Sequence, residues 1–304
     1  MRFPTRRAHR YLLALLLASA VSPASRAYAS QTATLNVSFN PARLGQSTSV
    51  AFHIRILASD GVPEPLTGLD LHYPSDLGVA ISGLGLDTCS IPTLENIGPV
   101  GCPAEARMGQ GSAIAEVPLG PEVIQEGAEV AILRAPEEDG HQGLNFYVQG
   151  NTPISLPVIF PGLLLAGTTS QTETIKLLIP LVGTVPGAAD VSVARLNATL
   201  GPRGLIYYER IDGKFVPYRP RGILLPHKCP PGGFPFSAIL TFVDRSSTTA
   251  TSRIPCQSFP AAPLTHQSLA RSPKQRHPEQ QPRPSARRRT AASGSRTADP
   301  RNPR

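Results

Sequence analysis

Tryptophan is absent from this sequence, methionine occurs twice and cysteine four times. The missing tryptophan removes the usual exposed platform of a carbohydrate-binding β-domain. Tyrosine is left as the aromatic candidate, at Tyr73, Tyr147, Tyr207, Tyr208 and Tyr218. No C-x-x-C pair occurs, and the only cysteine with a histidine close by is Cys229, next to His227. Zinc-ligand spacing is therefore missing. No apolar run reaches the roughly 20 residues that a membrane-spanning helix needs. The G-x-S-x-G elbow, the β-lactamase set, H-E-x-x-H and the P-loop are all absent. These absences assign no catalytic residue, no cofactor and no metal ligand. A Ser/His/Asp triad assembled from distant positions stays open, because triads are defined by geometry rather than by sequence position.

Proline is abundant instead, with 33 residues in 304. That is about twice the usual frequency of roughly 5%. An interior proline costs a helix about 3 kcal/mol, so a coiled coil, a helical bundle and a polytopic membrane protein are disfavoured together. Period-two patterning fills residues 31–256. Apolar residues alternate through Ala33, Leu35, Val37 and Phe39, and again through Val50, Phe52, Ile54 and Ile56. Shorter runs are Leu69/Leu71/Tyr73, Ala128/Val130/Ile132, Leu144/Phe146/Val148 and Ile175/Leu177/Ile179. The longest is Phe234, Phe236, Ala238, Leu240 and Phe242. Asp60-Gly61, Asp139-Gly140 and Asp212-Gly213 supply turns between such segments. The pattern predicts an all-β fold of β-sandwich type, with two packed Ig-like sandwiches at 30–118 and 119–256. Pro153, Pro157 and Pro161 interrupt the apolar stretch 154–166, which reads as buried edge strands and turns.

The ends differ from this body. Residues 1–29 read as a secretory signal peptide, with a basic start, an apolar stretch from Tyr11 to Val21 and the small-x-small site Ala27-Tyr28-Ala29. Residues 257–304 hold ten Lys/Arg, two acids, eight Pro and Phe259 as sole aromatic. Such a tail buries too little apolar surface to offset its ordering entropy and reads as disordered. The net charge of +8 divides unevenly. The first segment carries five Arg and no acid, while the body 30–256 has 14 basic and 19 acidic residues. The basic character thus belongs to the ends, and the predicted fold is mildly acidic. Arg287-Arg288-Arg289 suits a polyanion such as a wall polymer by counterion release. No aromatics interleave with these bases, so specific nucleic-acid recognition is not expected.

All four cysteines, Cys89, Cys102, Cys229 and Cys256, fall behind the apolar leader, and an even count there reads as disulfides. Of three connectivities open to four cysteines, local grouping favours Cys89–Cys102 and Cys229–Cys256. Gly101-Cys102-Pro103 with Arg107-Met108-Gly109-Gln110-Gly111-Ser112-Ala113 forms one block around them. Cys229-Pro230-Pro231-Gly232-Gly233-Phe234-Pro235-Phe236-Ser237-Ala238, closing on Pro255-Cys256, forms another. Together these blocks resemble a group of uncharacterised secreted proteins of high-GC actinobacteria, over roughly residues 31–256. The resemblance implies an exported, disulfide-linked β protein and carries no activity. Its pattern ends soon after the closing cysteine, so the tail is a departure from it. The expectation is a secreted, non-enzymatic module, extracellular or at the cell surface, with no membrane span in its mature form. Its expected partner is a cell-wall or extracellular polymer. The alternative is a secreted hydrolase with a dispersed site, for which His53, His72, His141 and His227 are the available histidines.

Overall fold

In the computed structural model the described residues are 30–79, 83–119, 121–151, 155–166, 172–184 and 189–256. The signal-peptide and tail readings, 1–29 and 257–304, lie outside them. Fourteen strands dominate: β1 (Gln31–Asn40), β2 (Ser47–Ala58), β3 (Leu66–Pro74), β4 (Arg107–Leu119), β5 (Glu122–Arg134), β6 (Gln142–Gly150) and β7 (Pro157–Ala166) form the first seven. They are followed by β8 (Thr172–Leu178), β9 (Ser192–Leu200), β10 (Tyr207–Ile211), β11 (Lys214–Tyr218), β12 (Ile223–Leu224), β13 (Phe234–Phe242) and β14 (Ser247–Ile254). The period-two runs are strands, as expected, and their apolar members face one interior. The all-β expectation is met.

Eleven strands follow one another in the order β1-β2-β9-β4-β5-β6-β7-β8-β3-β13-β14, every neighbouring pair being antiparallel. The two ends of that order lie side by side. The Val37 N–H donates to Ser252 Oγ across the seam at 3.3 Å. The sheet is thus nearly barrel-shaped, with β12 added beside β2 and β10–β11 forming a separate hairpin. Closure hides the sheet edges, which would otherwise offer unpaired backbone groups. Outward positions such as Thr34, Asn36, His53, Arg55, Thr241, Thr251 and Arg253 are polar. That is the inverse of a transmembrane barrel, whose outward band is apolar.

Two stacked sandwiches divided at 118/119 are not what forms. That boundary falls at the tip of the β4–β5 hairpin, and strands from its two sides interleave. β9 lies between β2 and β4, and β3 lies between β8 and β13. Alternation reports which side chains face inward but not which strand is the neighbour, so one interior was read as two. Within the proline-rich 154–166 stretch, Pro157–Ala166 form β7. Its pairing with β8 starts only at Gly162, so the half bearing Pro157 and Pro161 has β6 alone as partner. That half is an edge, where a missing N–H is tolerated.

One end of the barrel is sealed. Phe39 packs edge-on against Phe234 and Phe236, at centroid distances of 5.2 and 6.1 Å, and Phe52 meets Phe236 at 6.0 Å. Leu77, Val79 and Leu84 from the chain after β3, with Leu205, Tyr207, Ile223 and Leu225, complete the seal. Tyr207 is fully buried; its hydroxyl donates to the Arg107 carbonyl and accepts from the Gly85 N–H. In β4 the backbone of β9 comes so close that a Cβ at Gly109 or Gly111 would collide with the carbonyl oxygens of Thr199 and Asn197. The glycine-rich block Gly109-Gln110-Gly111 is therefore a contact strip and not a phosphate loop.

The stretch of residues 89–106, between β3 and β4, folds over the outside of the sheet. It contains α1 (Ile91–Ile97), whose N-terminus is capped by Ser90, with Oγ accepting from the Thr93 N–H at 3.3 Å. At two turns, α1 is too short to show a helical stripe in sequence. Leu94, Cys89 and Ala106 pack on Ala131 and Leu133, the outward residues of β5. Val130 and Ile132 face the interior, so four consecutive β5 residues are buried. The disulfides pair as the local grouping predicts, Cys89–Cys102 around α1 and Cys229–Cys256 between the chain before β13 and the end of β14. Two such bonds indicate an oxidising environment.

Two measurements check these assignments. Replacing Cys89 and Cys102 together by Ala releases a loop with a sequence separation of 13. It should lower unfolding stability by about 3 kcal/mol in urea titration. A variant as stable as the parent would mean that packing of α1 alone holds the flap. Burial, the largest cause, pushes the Tyr207 hydroxyl from 10.0 up to about 12. The unfolded chain therefore loses that proton first, and stability present below pH 10 declines as the pH rises towards 12. Urea midpoints from pH 9 to 12 should fall more steeply for the parent than for Tyr207→Phe. Equal slopes would refute the assignment.

Candidate functional site

Inward side chains do not fill the barrel evenly. On three neighbouring strands the interior positions are small: Ala113 and Ala115 on β4, Ala128 on β5 and Ala198 on β9. The rest of the lining includes large groups, among them Phe52, Ile132, Phe146 and Phe160. Phe146 and Phe160 stack in parallel at 5.4 Å. The alanines stop short of the larger residues, and a cavity of about 170 Å³ remains. Protein interiors are ordinarily packed to crystal density with few voids larger than a water molecule. An apolar cavity of about 150 Å³ stays dry and accommodates benzene. This one has room for a benzene-sized body or a short alkyl segment.

The cavity starts at Phe52, beside the phenylalanine seal, and runs to the opposite end of the barrel. Its lining reaches Gly150, Leu156, Pro180, Val182 and Val191, in or beside the loops there. Leu156 is 59% exposed, so the cavity meets the surface at this end. Five connections surround that mouth, at 59–65, 119–122, 151–156, 179–191 and 243–246. Their described residues carry Asp60, Glu64, Glu122, Asp190 and Asp244 against Arg245. The entrance is therefore acidic.

One polar side chain enters the lining. Glu126 lies on β5 in the same parity as Ala128, Val130 and Ile132, opposite Ala115 of β4, and is only 4% exposed. A buried carboxyl in so apolar a setting costs free energy, and such groups concentrate where they have chemical work. Sequence reading assigned Glu126 no role. The available signals were a glutamate in an inward position of a half-buried strand and alanines at the inward positions facing it.

The histidines considered for a dispersed hydrolase site are spread over the molecule. The His53 ring meets Asn197 Oδ1 at 2.9 Å on the outer face, and Asn197 Nδ2 donates to Ser112 Oγ at 3.3 Å. His72 meets Thr174 Oγ1 at 2.8 Å. His141 closes the β5–β6 turn through paired backbone bonds with Glu138, and His227 packs over Gly45. None of these pairings joins a serine to a carboxylate. Among the described residues no group of three or more His, Cys, Asp or Glu could hold a metal ion.

The tyrosines have varied duties. Tyr73 is buried and donates to Glu173 at 2.7 Å; Tyr147 donates to Gln149 at 3.0 Å. Tyr207 and Tyr208 face opposite ways, as their neighbouring strand positions require, with Tyr208 48% exposed. Tyr218 ends β11, where its ring meets Tyr207 edge-on at 5.9 Å. A second concavity lies on the outer face beside Pro99, lined by Gln110, Ser112, Glu129, Tyr147 and Asn197 among others. Several of its polar groups already bond one another. The four cysteines are structural, and none lines the barrel cavity. Comparison with protein-family models, with curated proteins and with solved structures finds no match.

Proposed function

We propose that the chain is a secreted, non-enzymatic binding protein that takes a small apolar ligand into its barrel. The observation that carries this reading is the cavity: one end sealed by aromatic packing, the other open, with Glu126 as the sole polar side chain among the described residues of its wall. A nearly closed sheet holds such a space with little rearrangement, because hydrogen-bonded ladders join its eleven consecutive strands around the wall. The sequence supports export, through the leader pattern at 1–29 and two disulfides. Its resemblance to secreted actinobacterial proteins points the same way. A cell-wall polymer is a poorer occupant than a small molecule, since the cavity admits only a benzene-sized body. The histidine pairings give a hydrolase no assembled nucleophile.

The test is calorimetric titration of the purified chain with 1-octanol, beside the variants Ala128→Phe and Ala198→Leu. The parent should bind saturably, with unfolding stabilised by about 2.7 kcal/mol at a ligand concentration one hundred times Kd. Each filled variant should lose binding by tenfold or more while keeping its fold. Absence of saturable binding to the parent, or undiminished binding to folded filled variants, would refute the reading.

A further inference from the structure

We propose that the barrel selects an amphiphile whose polar end is an amine, paired with Glu126, over one ending in a carboxylate. This rests on the interior-binding reading and adds the chemistry of the ligand's head. Two features support it. Glu126 is 96% removed from solvent and faces the cavity near its open end. A carboxyl group there gains from a cationic donor, because charge-assisted hydrogen bonds are strong and the surroundings screen little. A carboxylate head is an acceptor only and brings no donor to it. Independently, the mouth bears five acids and one arginine in its described loops. That field draws cations towards the entrance and repels anions. The apolar wall then takes the tail: Ala113, Ala128 and Ala198 leave the space, and Phe146 and Phe160 supply flat contact surface.

The cavity's size limits the tail to a short alkyl or single-ring group, so matched eight-carbon probes fit the question. The experiment titrates the full chain at pH 7.5 with octylamine, 1-octanol and octanoate, in about 0.01 M salt, where the Debye length is about 30 Å, and in about 0.5 M salt, where it is well under 10 Å. Octylamine is expected to bind at least tenfold more tightly than 1-octanol, with octanoate weakest. High salt should remove the part of this preference due to the exposed mouth and leave the part due to the buried pair. Glu126→Gln should bring octylamine to within about threefold of 1-octanol, read as the ratio of the two affinities in the same variant. Octanoate binding as tightly as octylamine would overturn the proposal, as would an undiminished amine preference in Glu126→Gln. A preference abolished by salt in the parent would also overturn it, and that arm needs no variant to fold. If 1-octanol binds and only the order is wrong, the head-group assignment fails and interior binding stands; if no probe binds, both fail.

Discussion

The meeting of β1 and β14 governs the rest of the structure. While a sheet of eleven strands stays open, its two faces are equivalent in principle and both edges expose unpaired backbone groups. Once the edges come together, one face becomes an interior that must be filled and the other a surface. Leu35 and Phe39 on one side of the seam, and Ala250 and Ile254 on the other, are buried because of it. Closure also sets a volume. Barrel diameter grows with strand number, and about eight strands already give an interior that side chains just fill. Eleven strands need either bulky inward residues throughout or a flattened section. On β4, β5 and β9 this chain supplies alanines instead.

The wall of the barrel is uneven in residue size, and the proposed interior binding rests on that difference. Phenylalanines at 39, 52, 234 and 236 close one end with edge-on contacts. Towards the other end β4, β5 and β9 present alanine where bulk would close the space. Replacing a large core residue by alanine typically costs 2–5 kcal/mol. A fold that keeps several alanines around a void forgoes stabilisation that larger residues would give. The disulfides offset part of this: one ties down the flap that covers β5 from outside, and the other joins the approach to β13 to the end of β14. Both lie away from the cavity wall, so they stabilise the barrel without filling it.

Much of the strand content was legible in the sequence, because a half-buried strand shows itself as alternation. Phe234 to Phe242 is the plainest case, with its inward residues almost fully buried. The disulfide pairing was legible for a similar local reason: Cys89 and Cys102 are near each other along the chain. Strand order was not legible. Residues 47–58 and 192–200 are neighbours in the sheet across more than a hundred positions, and nothing local in either records that register. The division into two sandwiches failed there. The cavity was illegible for another reason. Ala113, Ala128 and Ala198 each read as an ordinary apolar residue, and only their convergence on one side of a closed sheet makes a space. Glu126 broke the inward pattern of β5, but a single break also reads as the end of a strand, and Val123 and Ile124 beyond it are exposed.

Charge distribution links the sequence to the site. The whole chain is basic, and taken alone that suggests an anionic partner. The basic residues are concentrated outside the described fold, in 1–29 and 257–304, while the body between them is acidic. At the open end that acidity is local, and inside the barrel it narrows to the single carboxylate of Glu126. Interactions between exposed charges fade beyond about 10 Å at 0.1 M salt, whereas groups buried in the wall are screened much less. On the proposed reading a ligand would meet the field of the mouth and then of Glu126, not the average charge of the chain. For molecules with equal apolar tails, the sign of the polar end would then decide which one the barrel retains.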